Sequence, residues 1–214
     1  MPMRLMPTRK TEESVFNSKV NHGHVIDIGG WNDYIVTATS IDIAHASAPV
    51  RTLFVTPHYL PVFTGTGVNA KDVTVAIHIE HDYRTGTKLY PHIHWSHIIA
   101  SPTGSVKWTV NYIVAKGHSV GTYPSNTAIS VTQVAGAQFA HHIAEVSETD
   151  AIPSTSIEPD SVVIVTLSRN PADAADTFEN DAYLIAIDLH YQSTGLYTNE
   201  KVSPFTQRFD IRNR

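Results

Sequence analysis

"SVKWTVNYIVAKG", residues 105–117, decides the fold class. Val106, Trp108, Val110, Tyr112 and Val114 alternate with Lys107, Thr109, Asn111 and Ile113. Successive side chains of a strand point to opposite faces, so this pattern predicts a strand with one face in a core. "DVTVAIHIEHD", residues 72–82, repeats it, with Val73, Val75, Ile77 and Ile79 against Thr74, Ala76, His78 and Glu80. "AYLIAIDLHYQ", residues 182–192, sets Tyr183, Ile185, Ile187, Leu189 and Tyr191 against Leu184, Ala186, Asp188 and His190. "DSVVIVTLSR", residues 160–169, is more continuously apolar, which predicts a strand covered on both faces. Further strands are expected over Tyr34–Ile43, Thr52–Val55, Ala128–Val134 and Phe139–Val146.

Turn residues divide these runs. "YRTGTK" holds Gly86, and "SPTGS" holds Pro102 and Gly104, the latter reading as a longer-loop hairpin. No stretch carries a sustained helical repeat of apolar residues. Many strands with regular turns predict one antiparallel β-sandwich or jelly-roll-like domain over residues 23–192. The flanking segments, 1–22 and 193–214, are polar and aperiodic and read as extended arms, either disordered or ordered only against a neighbouring subunit.

Composition narrows the classes. The chain has 214 residues, 42% of them hydrophobic, so it can build a core without staples. Cysteine is absent, which excludes disulfides and thiolate metal sites and fits assembly in a reducing cytoplasm. A formal charge of −5 argues against direct nucleic-acid binding. The N-terminal residues lack the apolar stretch of a signal peptide, and no apolar run is long enough for a membrane-spanning helix.

The 13 histidines are unevenly distributed, and "LYPHIHWSH", residues 89–97, concentrates three of them. His92 and His94, two apart on a strand, share a face; His97 faces the other way. Asp188 and His190 form a second same-face pair, and His78 lies opposite its strand's aliphatic row. These five residues are expected in one polar layer, with the strands of His78 and His94 as neighbours. His92, His94, His78, Asp188 and His190 are therefore the candidate metal ligands. Read blandly, they are cross-strand polar residues with ring nitrogens bonded to neighbours. On that reading no metal, cofactor or catalytic residue is assigned, and any metal held there is structural. Trp95 and Trp108 read as core or interface aromatics, and His141–His142 as a pair on alternating faces.

Gly86, His92-x-His94 and Gly104 also resemble part of the first cupin motif. Ile98 and Ile99 stand where that motif carries its glutamate, and no second cupin motif follows. The nucleophile elbow, the phosphate loop and the dinucleotide fingerprint are all missing, so the chain is not expected to be an enzyme.

A longer resemblance covers residues 71–205. "KLYPHIHW", "VKWTVNYIVAKGHS", "HHIAEV", "DTFENDAYLIAIDLHYQ" and "TNEKVSPF" occur in that order. Together they resemble a group of uncharacterised virion proteins of tailed bacteriophages, with His-x-His-Trp, Trp-x-x-x-Tyr and Asp-x-His-Tyr strands. The resemblance implies a structural component of the particle, assembled in the host cytoplasm: head decoration, neck or collar, or tail accessory. It would act through contacts with other virion proteins and with its own copies, a trimer being favoured. Two other classes are a cupin-like metalloenzyme and a carbohydrate-binding module using Trp31, Tyr59 or Tyr123 as stacking platforms.

Overall fold

In the computed structural model the described residues are 29–195, except 42 and 44. The arm expected over 1–22 and the tail beyond 195 lie outside them. The alternating stretch from Val106 to Val114 forms strand β6, Ser105–Ala115, with Val106, Trp108, Val110, Tyr112 and Val114 buried in turn. It pairs with β7 (Thr127–Val134) on one side and β9 (Val162–Arg169) on the other, and β9 pairs onward with β4 (Lys71–His78). This four-stranded sheet runs β4-β9-β6-β7.

The second sheet is built around β10 (Ala182–Ser193). One edge of β10 takes β3 (His58–Phe63) at its start and β1 (Gly30–Thr37) along the rest. Its other edge takes β5 (Leu89–Ser96), which pairs onward with β8 (His142–Glu145). β2 (Val50–Val55) pairs outside β3. All pairings are antiparallel. The chain passes repeatedly between sheets, and the orders β10-β5-β8 and β4-β9-β6-β7 are those of a jelly-roll sandwich. The expected all-β sandwich is therefore the fold.

The core lies between the sheets. Trp95 of β5 and Trp108 of β6 are fully buried and meet edge-on at 6.2 Å, with Phe63 5.1 Å from Trp108. Both tryptophans are thus core residues. Each fully buried apolar side chain here contributes about 1.5–3 kcal/mol relative to exposure.

Four local expectations are corrected. The "SPTGS" loop is no hairpin: β5 and β6 belong to different sheets, and the loop carries the chain across. Gly104 has φ +90°, and a Cβ there would lie 2.2 Å from the Thr177 carbonyl oxygen, so only glycine permits the crossing. β4 and β5 likewise sit in opposite sheets, so the His78 and His94 strands are not neighbours. β9 is buried on one face only; its other face is half-exposed, screened laterally by β4 and β6. In β10 the register shifts between Leu184 and Ala186. Leu184 and Ile187 therefore both face the core, and the single apolar row expected from Tyr183 to Tyr191 is broken at Ile185. The sequence reading also passed over β3, where Pro61 disguises a strand next to the sheet edge.

Arg169 joins the layers. It ends β9, is fully buried, and uses all its N–H donors. Nε and Nη2 each donate to the Asp176 carboxylate at 2.8 Å. Nη1 donates to the carbonyls of Phe63 and Asn180, and Nη2 also to that of Phe178. Asp176 in turn accepts the Lys107 backbone N–H of β6 at 3.1 Å. Arg169→Ala should cost about 3–5 kcal/mol, because it strands a buried carboxylate. Arg169→Lys should recover only part of that, since an ammonium cannot fork across carboxylate and carbonyls. Urea unfolding midpoints check both; an Arg169→Lys midpoint equal to wild type would contradict this.

Candidate functional site

β5 and β10 are joined in a register that sets Asp188 opposite His92, Ala186 opposite His94 and His190 opposite Tyr90. Ile187, Leu189, Ile93 and Trp95 fill the core, so the intervening residues emerge on the outer face of the sheet. β1 adds Asp33 opposite His190, and β8 adds Glu145 opposite His92. Four of the five candidates, His92, His94, Asp188 and His190, thus meet on one face.

Asp188 is the centre of this layer and only 2% exposed. Its Oδ2 lies 2.7 Å from His94 Nε2, and its Oδ1 lies 3.3 Å from His92 Nδ1. The far nitrogens look outward: His94 Nδ1 is 2.7 Å from His141 Nε2, and His92 Nε2 is 3.6 Å from Glu145 Oε1. With His94 Nε2 donating to Asp188, its Nδ1 accepts the His141 Nε2–H, so a hydrogen-bonded chain runs from exposed His141 to the buried carboxylate. His92 Nε2 and Asp188 Oδ1 are buried with no hydrogen-bond partner among the described residues.

His190 belongs to an adjoining group. Its Nδ1 bonds Asp33 Oδ1, and its ring stacks between Trp31 at 4.7 Å and His92 at 5.0 Å. Trp31, Tyr90, Glu145, Glu148 and His190 line an open groove of about 510 Å³. Burial and the bonded Glu148 carboxylate push the Tyr90 phenol up to about 12. Lys88 and Tyr90 in turn hold Glu148 below the usual carboxylate range.

His78 is the candidate that the fold removes. It sits on β4 of the opposite sheet, 3.0 Å from Asp160 Oδ1. Asp160 also receives His81 at 3.1 Å and His118 at 2.5 Å. Partial burial raises this carboxyl, but the three imidazoles outweigh it and hold the group below its ordinary range. Period-two alternation marked His78 as outward-facing but not which sheet it faces out from. Sequence reasoning also missed Asp33, His141 as a bonded neighbour, and Asp160, which sits in a turn with φ +64°. No local pattern announces any of them.

His97 faces the interior, as its offset from His94 implies, and is fully buried. Its Nδ1 accepts the Ile99 N–H at 3.2 Å and its Nε2 donates to the Gly136 carbonyl at 3.1 Å, so the neutral ring is locked in one tautomer. His142 stacks on it at 5.6 Å and on Trp95 at 4.5 Å.

No protein-family model and no curated protein matches the chain. Among solved structures, it is similar to Arthrobacter globiformis T6 isomalto-dextranase complexed with panose (15% identity, TM-score 0.35), over 61% of this chain and 18% of that one. It is similar to a structure of infectious bursal disease virus, Gx strain, at 11% identity and TM-score 0.35, over 77% of this chain and 32% of that one. The infectious bursal disease virus VP2 subviral particle gives 12% identity and TM-score 0.31, over 78% and 33%. The chain spans a third or less of each of these structures, and likenesses this distant carry no functional argument.

Burial holds His97 and His142 below the usual histidine range, and for His142 the neighbouring His97 and His141 add to the effect. The unfolded chain therefore takes up protons first. Stability from this pair is full above about pH 6.5 and is lost as pH falls toward the lowered folded-state values. The thermal midpoint should drop between about pH 8 and about pH 5.5, and His97→Gln should flatten that drop. An unchanged slope in the variant would show that other groups set it.

Proposed function

We propose that this chain is a structural subunit of a tailed-bacteriophage particle, working through contacts with its own copies and other virion proteins. The observation that carries the contact reading is the β2-β3 ribbon. Val50, Leu53 and Val55 of β2 and Tyr59 of β3 are all exposed, and the outer edge of β2 has no partner strand among the described residues. Soluble proteins protect such edges with charge, twist or a cover. The only charge on β2, Arg51, is instead bonded to the carbonyls of Ala38, Thr39 and Ile41. An apolar, uncharged edge is stable in solution when another chain covers it. The particle itself is supported by the succession of sequence motifs within residues 71–205 and their resemblance to phage virion proteins.

One observation favours a second reading, a carbohydrate-binding module. Trp31, 53% exposed, stands over the groove beside the Glu145 and Glu148 carboxylates, a pairing of aromatic face and acceptors that suits a sugar ring. A glycan-binding screen that retains a ligand on wild type and loses it on Trp31→Ala would establish it; no retention on wild type removes it.

Light scattering at micromolar concentration checks the contact reading. Wild type is expected as a closed oligomer, and Leu53→Lys with Val55→Lys as a folded monomer. A wild-type monomer would overturn it. Genes for portal, capsid or tail proteins on either side of the coding gene are expected for the particle reading, and unrelated neighbours count against it.

A further inference from the structure

We propose that His92, His94 and Asp188 form a binding site for a divalent transition metal, zinc foremost, that clamps β5 to β10.

The geometry supplies one ligand atom from each residue, all within 4.8 Å of one another. His92 Nδ1 and His94 Nε2 both face the Asp188 carboxylate, at 3.3 Å and 2.7 Å. Ligand atoms about 2.0–2.2 Å from a tetrahedral zinc stand about 3.3–3.6 Å apart, so the His92 contact already fits and the His94 contact opens by less than about 1 Å to admit the ion. Two imidazoles and one carboxylate suit zinc among the common divalent ions, and leave a fourth position for water.

The second observation is independent of the spacing. Asp188 Oδ1 is buried and receives no hydrogen bond, and neither does His92 Nε2. Native proteins rarely leave buried polar atoms unmatched, and a cation satisfies the carboxylate oxygen directly. A metal also gives both nitrogens of each ligating ring a role. With His94 Nε2 on the metal, its Nδ1–H donates to His141 Nε2. With His92 Nδ1 on the metal, its Nε2–H points at the Glu145 carboxylate, 3.6 Å away. Ligating histidines characteristically give their second nitrogen to such an outer partner.

The neighbouring group, Asp33, His92 and His190, also satisfies the spacing. It is less suited: Asp33 is exposed, His190 is already bonded to it, and the His190 ring is held in a stack by Trp31. His92 belongs to both groups, and each of its ring nitrogens can hold only one ion.

Zinc chloride titrated calorimetrically into the tag-free chain, with thermal midpoints recorded alongside, tests the proposal. One zinc per chain, a raised midpoint, and a visible cobalt(II) spectrum of a four-coordinate site are expected. Asp188→Asn and His94→Gln should abolish binding, and His141→Ala should weaken it by about 10–100-fold. Asp33→Asn and Asp160→Asn should leave it intact, which separates this site from the His190 and His78 clusters. Should Asp188→Asn fail to fold by circular dichroism, His92→Gln with His94→Gln carries the same test. No zinc binding by wild type, binding that survives these losses, or binding lost with Asp33→Asn or Asp160→Asn would overturn the assignment.

Discussion

The buried ion pair of Arg169 and Asp176 is the constraint on which the sandwich closes. Arg169 leaves the end of β9 in one sheet and reaches the Phe63 carbonyl at the end of β3 in the other. Its remaining bonds gather the loop before β10 through Asn180, Phe178 and Asp176. Burying a charge is costly, and it is tolerable here because every donor meets an acceptor and the carboxylate takes the fork of the guanidinium. The same loop closes against Gly104, so the crossing from β5 to β6 and the entry to β10 are held in one place.

From that anchor β10 becomes the spine of the second sheet, and its irregularity shapes the outer face. The bulge at Ile185 changes which residues point outward, and downstream of it Asp188 and His190 emerge beside His92. An unbroken strand in the register of Leu184 would have turned Asp188 toward the core. The bulge therefore connects backbone geometry to chemistry: it brings a carboxylate between imidazoles and under enough side-chain cover to be nearly solvent-free.

The outer face and the free edge of this sheet then differ in kind. The histidine layer and the aromatic groove lie on the outer face of the β10 sheet, whereas the β2-β3 ribbon runs along its free edge. A polar, partly buried face can hold a ligand, and an apolar edge invites a strand or a subunit. The metal clamp proposed between β5 and β10 would stiffen the sheet from whose side that edge projects.

Much of this architecture is written locally. Alternation in residues 105–117 and 72–82 declared strands with one buried face and put Trp108 in that row, and the spacing in residues 89–97 put His92 and His94 on one face with His97 on the other. Period two fixes a side chain's face relative to its own strand, and that needs no partner. It cannot say which strand lies alongside. The assignment of β5 and β6 to different sheets, the exile of His78 to Asp160, the arrival of His141 and Asp33, and the phase change in β10 all depend on pairings between distant residues. Those pairings are settled by how the sheets close around Trp95, Trp108 and Arg169, a balance of core volume and buried charge that no short window of sequence contains.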